Sequence, residues 1–335
     1  MLISNEASKS QNRVVLVTGG AGYIGSHACK ELHSHGYVPV TVDNFCTGNR
    51  EAVKWGPLYE VDIRDQSGMS AVFSEVMPSA VMHFAASAYV GESVLNPRKY
   101  YDNNVQGLLA LLDVMTQASV NKLVFSSSCA TYGVPESELI NEAHPQNPIN
   151  PYGRTKLICE QIIQDYSSAH NFQFALLRYF NAAGADRDLE VGELHDPEPH
   201  VIPLAISAAL SGGYFYLNGN NHATRDGTPV RDYIHVSDLA SAHVRALRKI
   251  MDDGDNISVN LGSGIGTSVS ELLKVIEAIT DGKLTVVEKE KRAGDPACLV
   301  ADISYAKKTL GWTPLHSSIE NIVSTAVRWH MEGNF

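Results

Sequence analysis

A tyrosine and a lysine four residues apart, Tyr152 and Lys156, are the residues of this chain best suited to proton transfer. Positions i and i+4 share one face of a helix, and the preceding Pro151 favours a helix start. A phenol is a poor base near neutral pH until nearby positive charge favours the phenolate. Lys156 supplies that charge, and Ser128, at the end of a predicted strand, is placed to hold or relay the proton. The trio predicts proton removal from a hydroxyl while hydride leaves the same carbon.

A glycine-rich turn, Thr18-Gly-Gly-Ala-Gly-Tyr-Ile-Gly25, lies between a strand-like run and a helical pattern. In such a turn Gly19 makes the bend, Gly22 lets the backbone approach a pyrophosphate, and Gly25 lets helix and strand pack closely. Ser26-His27 follow the last glycine, so the phosphate loop of kinases and ATPases is absent. The pattern predicts a dinucleotide at a helix N-terminus.

The next predicted strand ends at Val42-Asp43-Asn44, about 18 residues after the last glycine. A carboxylate there can accept from both hydroxyls of the adenosine ribose and would repel a 2′-phosphate. Asp43 therefore favours NAD over NADP. Asp62, in a later loop, is a candidate for contact with the adenine, whereas His83, on an apolar strand, is interpreted as a buried core histidine.

The hydrophobic pattern predicts strands and helices in alternation through the first half of the chain. The predicted strands are 13–18, 37–42, 80–85, 122–127 and 173–179. The predicted helices are 23–35, 65–77, 95–119 and 152–170. Such alternation builds a parallel sheet whose ligands lie outside the carboxyl ends of the strands. We predict an α/β chain with a Rossmann-type doubly wound parallel sheet and a smaller mixed α/β substrate-binding domain.

The domain division is predicted from a loss of this pattern in a segment rich in Gly, Asp, Glu and Pro at 184–199. The NAD-binding Rossmann domain is expected to cover 1–182. Strand, helix and strand patterns recur at 229–262, where the chain is expected to return to that domain. Residues 183–228 and 263–335 are expected to form the substrate domain, with a helix near 202–210.

Composition excludes several classes of protein. The 335 residues are 44% hydrophobic and 19% charged, which suits a folded core and not a disordered chain. With 26 basic and 37 acidic residues the net charge is −11, so the field repels nucleic acid and anionic membranes. Five cysteines without a C-x-x-C pair, a polar N-terminal segment and no long apolar run favour a cytoplasmic protein with reduced thiols. Neither a metal nor a membrane partner is expected.

Further motifs extend the pattern over nearly the whole chain. They are Thr18-Gly-Gly-Ala-Gly-Tyr-Ile-Gly-Ser-His27, Val42-Asp-Asn44, Gly91-Glu-Ser93, Tyr100-Tyr-Asp-Asn-Asn-Val105, Asn150-Pro-Tyr-Gly-Arg-Thr-Lys156, Leu177-Arg-Tyr-Phe-Asn-Ala-Ala-Gly184, Asp226-Gly-Thr228, Val230-Arg-Asp-Tyr-Ile-His-Val236 and Arg292-Ala-Gly-Asp295. With these motifs the sequence resembles the extended short-chain dehydrogenase/reductase family, and within it the 4-epimerases of UDP-sugars.

The resemblance implies an isomerase that interconverts UDP-glucose and UDP-galactose through transient hydride transfer to tightly bound NAD. The 4-keto sugar would turn about its diphosphate link before the hydride returns. The resemblance also implies that Tyr152 is the base, that Lys156 is its electrostatic partner and a ligand of the cofactor ribose, and that Ser128 is the hydroxyl beside the substrate. Asn103 would lie near the cofactor and Asn181 near the substrate.

The full set of predicted ligands follows from the motifs and the resemblance together. The residues assigned to NAD are Gly19, Gly22, Tyr23, Ile24, Gly25, Asp43, Asn44, Asp62, Ile63, Phe84, Ala85, Ala86, Asn103, Ser126, Tyr152, Lys156 and Tyr179. The residues assigned to the UDP-sugar are Ser128, Tyr152, Asn181, His200, Val201, Tyr216, Arg231, Tyr233, Arg292, Asp295 and Leu299. The two arginines are expected on the diphosphate because a guanidinium fork matches phosphate oxygens.

Some positions depart from the pattern of the family. Ala88 stands where a lysine is frequent, and Cys129-Ala130-Thr131 places the threonine one position later than usual. His200 replaces a common asparagine beside the substrate. Leu299, near the sugar, leaves N-acetylated sugars open as substrates.

Alternative functions differ in how well the motifs fit them. A 4-epimerase of UDP-pentoses (xylose/arabinose) or UDP-N-acetylhexosamines shares almost every motif and stays open. A 4,6-dehydratase needs an acid/base pair, usually Asp-Glu, directly after the serines, where this chain has Cys129-Ala130. A silent NAD-sensing protein would be expected to lose Tyr152 or Lys156.

A homodimer is the expected assembly. The predicted helices 95–119 and 152–170 carry more apolar positions than one sheet face needs, and in the resembling family this pair forms a four-helix dimer contact.

Overall fold

The computed structural model describes residues 13–291 and 296–333, and the chain divides into two compact units. The first unit holds the chain up to residue 131 together with 150–178 and 240–258; the second holds 132–149, 179–239 and 259–335. The observed boundary after Arg178 lies close to the expected one at 182. Segments 132–149 and 229–239 belong to the second unit, because Ile140 bridges to Ala301 and the strand at Val230–His235 pairs within that unit.

A seven-stranded sheet in the order β10-β6-β5-β4-β1-β2-β3 forms the centre of the first unit. Its strands are β1 (Val14–Thr18), β2 (Val38–Asp43), β3 (Leu58–Glu60), β4 (Ala80–His83), β5 (Lys122–Ser128), β6 (Gln173–Tyr179) and β10 (Ile257–Leu261). Strand β1 pairs in parallel with β2 on one side and β4 on the other, so the strand order reverses at β1. Cofactors of doubly wound sheets bind at such a reversal.

Helices flank this sheet. They are α1 (Tyr23–Ser34), α2 (Gln66–Val76), α3 (Val90–Leu95), α4 (Pro97–Tyr100), α5 (Gly107–Gln117), α6 (Pro151–His170) and α8 (Val236–Asp252). Apolar residues of β1, β4 and β5 pack against those of α2 and α5 in one buried cluster, with Leu16, Phe125 and Met115 at most 1% exposed. The predicted doubly wound architecture is confirmed, and β3 is a strand that the sequence pattern missed because it is only three residues long.

The helix predicted over 95–119 is observed from residue 97 to residue 117, with a π-helical turn inside it. It comprises α4, the π-helical turn at Tyr101–Gln106 and α5, and the short helix α3 precedes it. Asn96 ends α3 and Pro97 begins α4, since a proline is tolerated in a first helical turn and not in a helix interior. Single π-helical turns are frequent at functional sites, and this one contains Asn103.

The second unit has a smaller mixed sheet and a strand pair. Its strands are β7 (Asn181–Ala183), β8 (Tyr214–Asn218), β9 (Val230–His235), β11 (Gly266–Ser268), β12 (Thr285–Lys289) and β13 (Cys298–Leu299), and its helices are α7 (Val201–Ser211), α9 (Val269–Thr280), α10 (Ser304–Leu310) and α11 (Ile319–Glu332). Strand β9 lies between β11 and β13, while β8 pairs with β12. Helices α7, α9 and α11 enclose a second apolar core. Among the described helices, none is both long and apolar enough to cross a bilayer.

Candidate active site

The glycine turn between β1 and α1 has the shape that its sequence predicts. Gly19 adopts a left-handed φ of +72°, and a Cβ there would lie 2.6 Å from the Ala85 nitrogen. A Cβ on Gly25 would lie 2.1 Å from the Gly19 oxygen, so the protein's own packing requires both glycines. Gly22 differs, because its φ is −82° and a Cβ would meet only the Gly19 oxygen, at 3.3 Å. A ligand close to the backbone at the uncapped start of α1 explains this third glycine.

Asp43 ends β2 beside this turn and is 8% exposed. One carboxylate oxygen accepts from the Ala21 nitrogen at 3.0 Å and the other from the Phe45 nitrogen at 2.9 Å. Burial raises the pKa of the Asp43 carboxyl, and hydrogen bonds from the backbones of Phe45, Ala21 and Asn44 oppose the rise. Because a carboxylate has about four acceptor positions, acceptor capacity remains for a hydroxyl donor. The cradle therefore fits the adenosine half of NAD.

Asp62, which is assigned to the adenine, is held by hydrogen bonds within the protein. Its carboxylate accepts one hydrogen bond from the Asn44 amide and three from Arg64, through the backbone nitrogen, Nε and Nη2. These bonds hold the pKa of Asp62 well below its usual range, the Arg64 side chain contributing most. These bonds fix the place of the Asp62 carboxylate beside Asn44, and its contact with the adenine stays a prediction.

The loop after β4 approaches the same turn. The nitrogens of Phe84 and Ala85 both donate to the Thr18 oxygen, at 2.9 and 3.1 Å. His83 is a buried core histidine, as expected, with Nδ1 2.7 Å from the Thr18 hydroxyl, and burial lowers its pKa to about 3.

Asn104 is a positioning residue that the sequence analysis missed. It is 2% exposed, and its amide accepts from the Ser87 nitrogen and donates to the Ser87 oxygen and the Thr155 hydroxyl. The neighbouring Asn103, which was the residue assigned to the cofactor, donates weakly to Asn104 at 3.3 Å. Asn104 thereby ties the loop after β4 to helix α6. The adjacent asparagines in the sequence indicated an amide at this place. The helical register at the π-helical turn decides which of the two is buried.

The predicted proton-transfer trio is assembled within the first unit. Helix α6 is capped by the Asn150 side chain, which accepts from the Gly153 nitrogen, and Pro151 occupies its first turn. Tyr152 is 9% exposed and Ser128 is 8% exposed, and Ser128 acts to lower the pKa of the Tyr152 phenol. The Ser128 hydroxyl accepts from the Ala130 nitrogen, and Thr131 donates to the Ser128 oxygen. The shifted threonine therefore shapes the turn that presents the serine.

Lys156 is expected to favour the Tyr152 phenolate together with the positive charge of a bound nicotinamide, and the structure shows how strongly burial opposes this. Burial raises the pKa of Tyr152 to about 12, and Ser128 opposes the rise. The Lys156 ammonium lies 6.0 Å from the centroid of the tyrosine ring and donates to the Ser126 oxygen at 2.6 Å. Burial also lowers the pKa of Lys156 to about 8. Desolvation therefore favours the protonated form of the Tyr152 phenol.

A buried ion pair lies beneath the trio. Glu160, four residues after Lys156 on α6, accepts from Arg178 of β6 at 2.7 to 3.2 Å and from the Ser127 hydroxyl at 2.5 Å. The glutamate side chain is 1% exposed and the arginine side chain 6%. Glu160 acts against the lowering of the Lys156 pKa. Sequence spacing alone did not reveal this pair, since its members are on a helix and a separate strand.

The second unit contains a cavity of about 250 Å³ lined by polar and aromatic side chains. Five of the residues assigned to the UDP-sugar line it, namely Asn181, His200, Val201, Arg231 and Tyr233, and Tyr216 is a sixth. Strand pairing places them together: Asn181 is opposite Tyr233, and its amide donates to the Asp232 oxygen at 3.0 Å. Arg231 is half-buried and Tyr233 is buried. A guanidinium at an aromatic wall is suited to an aromatic group that carries phosphate.

Comparisons with known proteins agree with this geometry. The model of the NAD dependent epimerase/dehydratase family matches residues 15–262. The chain belongs to this family. A UDP-glucose 4-epimerase of Rhizobium leguminosarum bv. trifolii is 50% identical over 321 residues, which cover 96% of this chain and 98% of that protein. The resemblance stated from the motifs is confirmed.

Solved structures extend the agreement to the fold. The crystal structure of UDP-glucose 4-epimerase from Brucella ovis in complex with NAD has a TM-score of 0.92 at 49% identity, covering 94% of this chain and 97% of that one. The UDP-glucose 4-epimerase from Bifidobacterium longum, in complex with NAD⁺ and UDP, has a TM-score of 0.90 at 38% identity, covering 95% and 98%. The predicted Rossmann-type fold is thereby confirmed.

The remaining assigned residues of this epimerase-family chain lie at several places. Leu299 pairs with Arg231 across β13 and β9, and Tyr179 is buried at the end of β6. Tyr23 and Ile24 open helix α1, while Ile63 is buried beneath the Gly107 start of α5. Arg292 and Asp295 lie outside the described residues.

His200 is bonded in a way that its assignment to the substrate did not anticipate. It is the N-cap residue of α7, and its Nδ1 contacts the Glu193 carboxylate. Glu198 and His195 complete a cluster of four, in which the carboxylates raise the pKa of His195 to about 9 and of His200 to about 10 against the effect of burial.

Proposed function

We propose that this chain is a UDP-glucose 4-epimerase, an isomerase that interconverts UDP-glucose and UDP-galactose with tightly bound NAD. The observation that carries the proposal is the buried set of Ser128, Tyr152 and Lys156 at the carboxyl end of β5 and the start of α6. The set occurs in a chain that matches proteins of that name over nearly their full length.

The first unit is proposed to hold the cofactor. The Gly22 backbone at the start of α1 would face the pyrophosphate, and the remaining acceptor capacity of Asp43 would take a ribose hydroxyl. NAD, when bound, accepts hydride from carbon 4 of the sugar and returns it to the opposite face. Lys156 is proposed as the ligand of the nicotinamide ribose, since its ammonium is held at the carboxyl end of β5 by the Ser126 oxygen.

Tyr152 is proposed to take the proton from the sugar's 4-hydroxyl and to give it back after the ring has turned. A phenol with a pKa of about 12 needs added positive charge to do this near neutral pH. Two positive charges are proposed to lower the pKa of the phenol: the Lys156 ammonium and the charge of the oxidised nicotinamide. Ser128 is proposed to orient the phenol and the sugar hydroxyl, because it acts to lower the pKa of Tyr152.

The second unit is proposed to hold the uridine diphosphate in its cavity. Arg231 would bind phosphate oxygens, and Tyr233 with Tyr216 would flank the nucleotide. Anchoring the nucleotide keeps an oxidised sugar from escaping, while the sugar itself must stay loosely held to present both faces. Arg292 and Asp295 are proposed as further ligands on the grounds of the motif alone.

The experiment is incubation of the purified protein with UDP-glucose, followed by chromatographic measurement of UDP-galactose. We expect conversion to an equilibrium mixture without added reductant, and loss of about 100-fold or more in rate for Tyr152→Phe. Retained NAD and an unchanged circular dichroism spectrum are the controls for folding. Undiminished turnover of a folded Tyr152→Phe protein, or no galactose epimer from the wild type, refutes the proposal. Parallel incubations with UDP-xylose and UDP-N-acetylglucosamine define the sugar preference.

A cytoplasmic homodimer is the proposed form of the protein. All five cysteines are free thiols, as suits a reducing compartment. Val94 and Leu95, at the end of α3, are 61% and 87% exposed, which supports a contact with a second copy at this surface. Light scattering of the wild type is expected to give the mass of a dimer, and Leu95→Asp a lower one. A wild-type monomer contradicts the dimer, and recovery in a membrane or secreted fraction contradicts the location.

A further inference from the structure

Four side chains from one short segment of the second unit converge outside the proton-transfer trio. They are Glu193, His195, Glu198 and His200, and one ligand atom of each lies within 4.8 Å of all the others. Helical spacing cannot produce this convergence, because the segment precedes α7 and only His200 touches that helix, as its N-cap. The cluster is held by the loop itself.

The loop is anchored at both ends. The Glu193 oxygen accepts from the Trp329 indole at 2.9 Å, and a Cβ on Gly192 would lie 2.3 Å from the same ring. At the other end the His200 nitrogen donates to a Glu198 carboxylate oxygen at 2.9 Å. A fixed backbone orients the donor atoms before any ligand arrives, as metal sites require.

The distances between donors resemble the edges of a coordination tetrahedron. His195 Nδ1 lies 3.4 Å from Glu193 Oε1 and 3.5 Å from Glu198 Oε2, and His200 Nδ1 lies 3.4 Å from Glu198 Oε1. Zinc bonds of about 2.0–2.1 Å in tetrahedral geometry give ligand-to-ligand edges of about 3.3–3.4 Å. Good hydrogen bonds between such atoms are shorter, at about 2.7–3.2 Å. Of these four contacts, that of His200 with Glu193 is closer than the tetrahedral edge, and Glu198 meets the two histidines through different oxygens.

Charge and donor type are also consistent with a dication. The two carboxylates would neutralise one divalent ion, and two imidazoles with two carboxylates form a set that zinc accepts. The two side chains nearest the interior, Glu193 and His195, are 7% and 13% exposed, whereas His200 is 52% exposed. An ion can therefore enter from the solvent side.

We propose that Glu193, His195, Glu198 and His200 form a binding site for a divalent transition-metal ion of the zinc type. Sequence analysis expected no metal because it sought paired ligands at helical or C-x-x-C spacing, whereas this set has the spacing Glu-x-His-x-x-Glu-x-His on a loop. Glu193 and His200 also line the cavity of the second unit, so a bound ion fixes one wall of it. His200 then serves the metal and not the sugar nucleotide.

The test uses the untagged full-length protein, stripped with a chelator and titrated with Zn²⁺ under competition from a chromogenic chelator. We expect one strong site per chain, an upward shift of the melting temperature, and with Co²⁺ the intense visible absorption of tetrahedral coordination. None of these measurements depends on catalytic activity.

Variants separate this site from surface binding by other histidines. His195→Gln and Glu198→Gln should each weaken zinc binding by at least about 10- to 100-fold, the loss typical of outer-sphere changes at metal sites. The matched control is Asp188→Asn, in the acidic cluster Asp186, Asp188 and Glu190, which should bind like the wild type. Wild-type protein without a strong site overturns the proposal. So does a folded His195→Gln or Glu198→Gln that keeps wild-type affinity.

Discussion

Substitution of Glu160 by glutamine tests whether the ion pair beneath the proton-transfer trio is as buried as the structure shows. The carboxylate binds Arg178 through contacts as short as 2.7 Å and also accepts from Ser127. With side-chain exposures of 1% and 6%, solvent screens neither charge. Glu160→Gln removes the carboxylate that pairs with the buried Arg178 guanidinium.

The expected cost follows from that desolvation. Removing one partner of a buried ion pair costs about 3–5 kcal/mol of unfolding free energy, and the retained amide oxygen places this variant near the lower end. The second variant, Glu160→Gln with Arg178→Met, removes both charges and is expected to recover much of the loss, since replacement of a whole pair is often nearly neutral.

The assay is urea unfolding followed by circular dichroism at one fixed NAD concentration, because a bound ligand shifts apparent stability. The control is Asp253→Asn, which breaks the exposed contact with Lys249 at 2.6 Å and is expected to leave the midpoint unchanged. A loss below about 1 kcal/mol for Glu160→Gln would refute the reasoning. A double variant no more stable than the single one would also contradict it.

Three further predictions concern the cofactor cradle, the lysine and the cavity. Gly25→Ala should prevent correct folding of the turn, because its Cβ would lie 2.1 Å from the Gly19 oxygen. Gly22→Ala should fold with a near-normal melting temperature but should retain less NAD on gel filtration. The pKa of Lys156 is lowered from 10.5 to about 8, so the unfolded chain binds more protons than the folded protein between these two pH values. The free energy of unfolding of the wild type, relative to that of Lys156→Met, should therefore rise with pH from about 8 to 10.5. Urea unfolding that gives the same difference at every pH contradicts this. Arg231→Lys should raise KM for UDP-glucose by about 10-fold or more with little change in kcat, because a charged hydrogen bond worth about 1.5–3 kcal/mol is lost. An unchanged KM would show that Arg231 does not bind the phosphates.

Local motifs were predictable because they depend on a few neighbouring residues. The turn from Gly19 to Gly25 requires glycine for reasons of backbone geometry within the turn, and the i, i+4 spacing places Tyr152 and Lys156 on one helix face. The start of α6 followed from Pro151. Pro97 marks the observed start of the helix predicted over 95–119, and its π-helical turn had no signal in the apolar pattern.

Contacts across the fold were not predictable from spacing. The pairing of Glu160 with Arg178 and the choice of Asn104 over Asn103 depend on how α6, β6 and the π-turn pack. The Asp62 carboxylate was assigned to a ligand by its position in a loop, and its hydrogen bonds from Arg64 and Asn44 were not foreseen.

The sequence by itself determined which residues could carry chemistry and the order of strands and helices around them, because side-chain type and periodicity are properties of the chain. Only the tertiary structure decided the charge states. Burial sets the pKa of Tyr152 at about 12 and that of Lys156 at about 8, and a loop brings His195 and His200 between two carboxylates. The desolvation of Tyr152 and Lys156 and the packing of the loop with the histidines depend on residues that are distant in sequence. No local sequence pattern can therefore predict them.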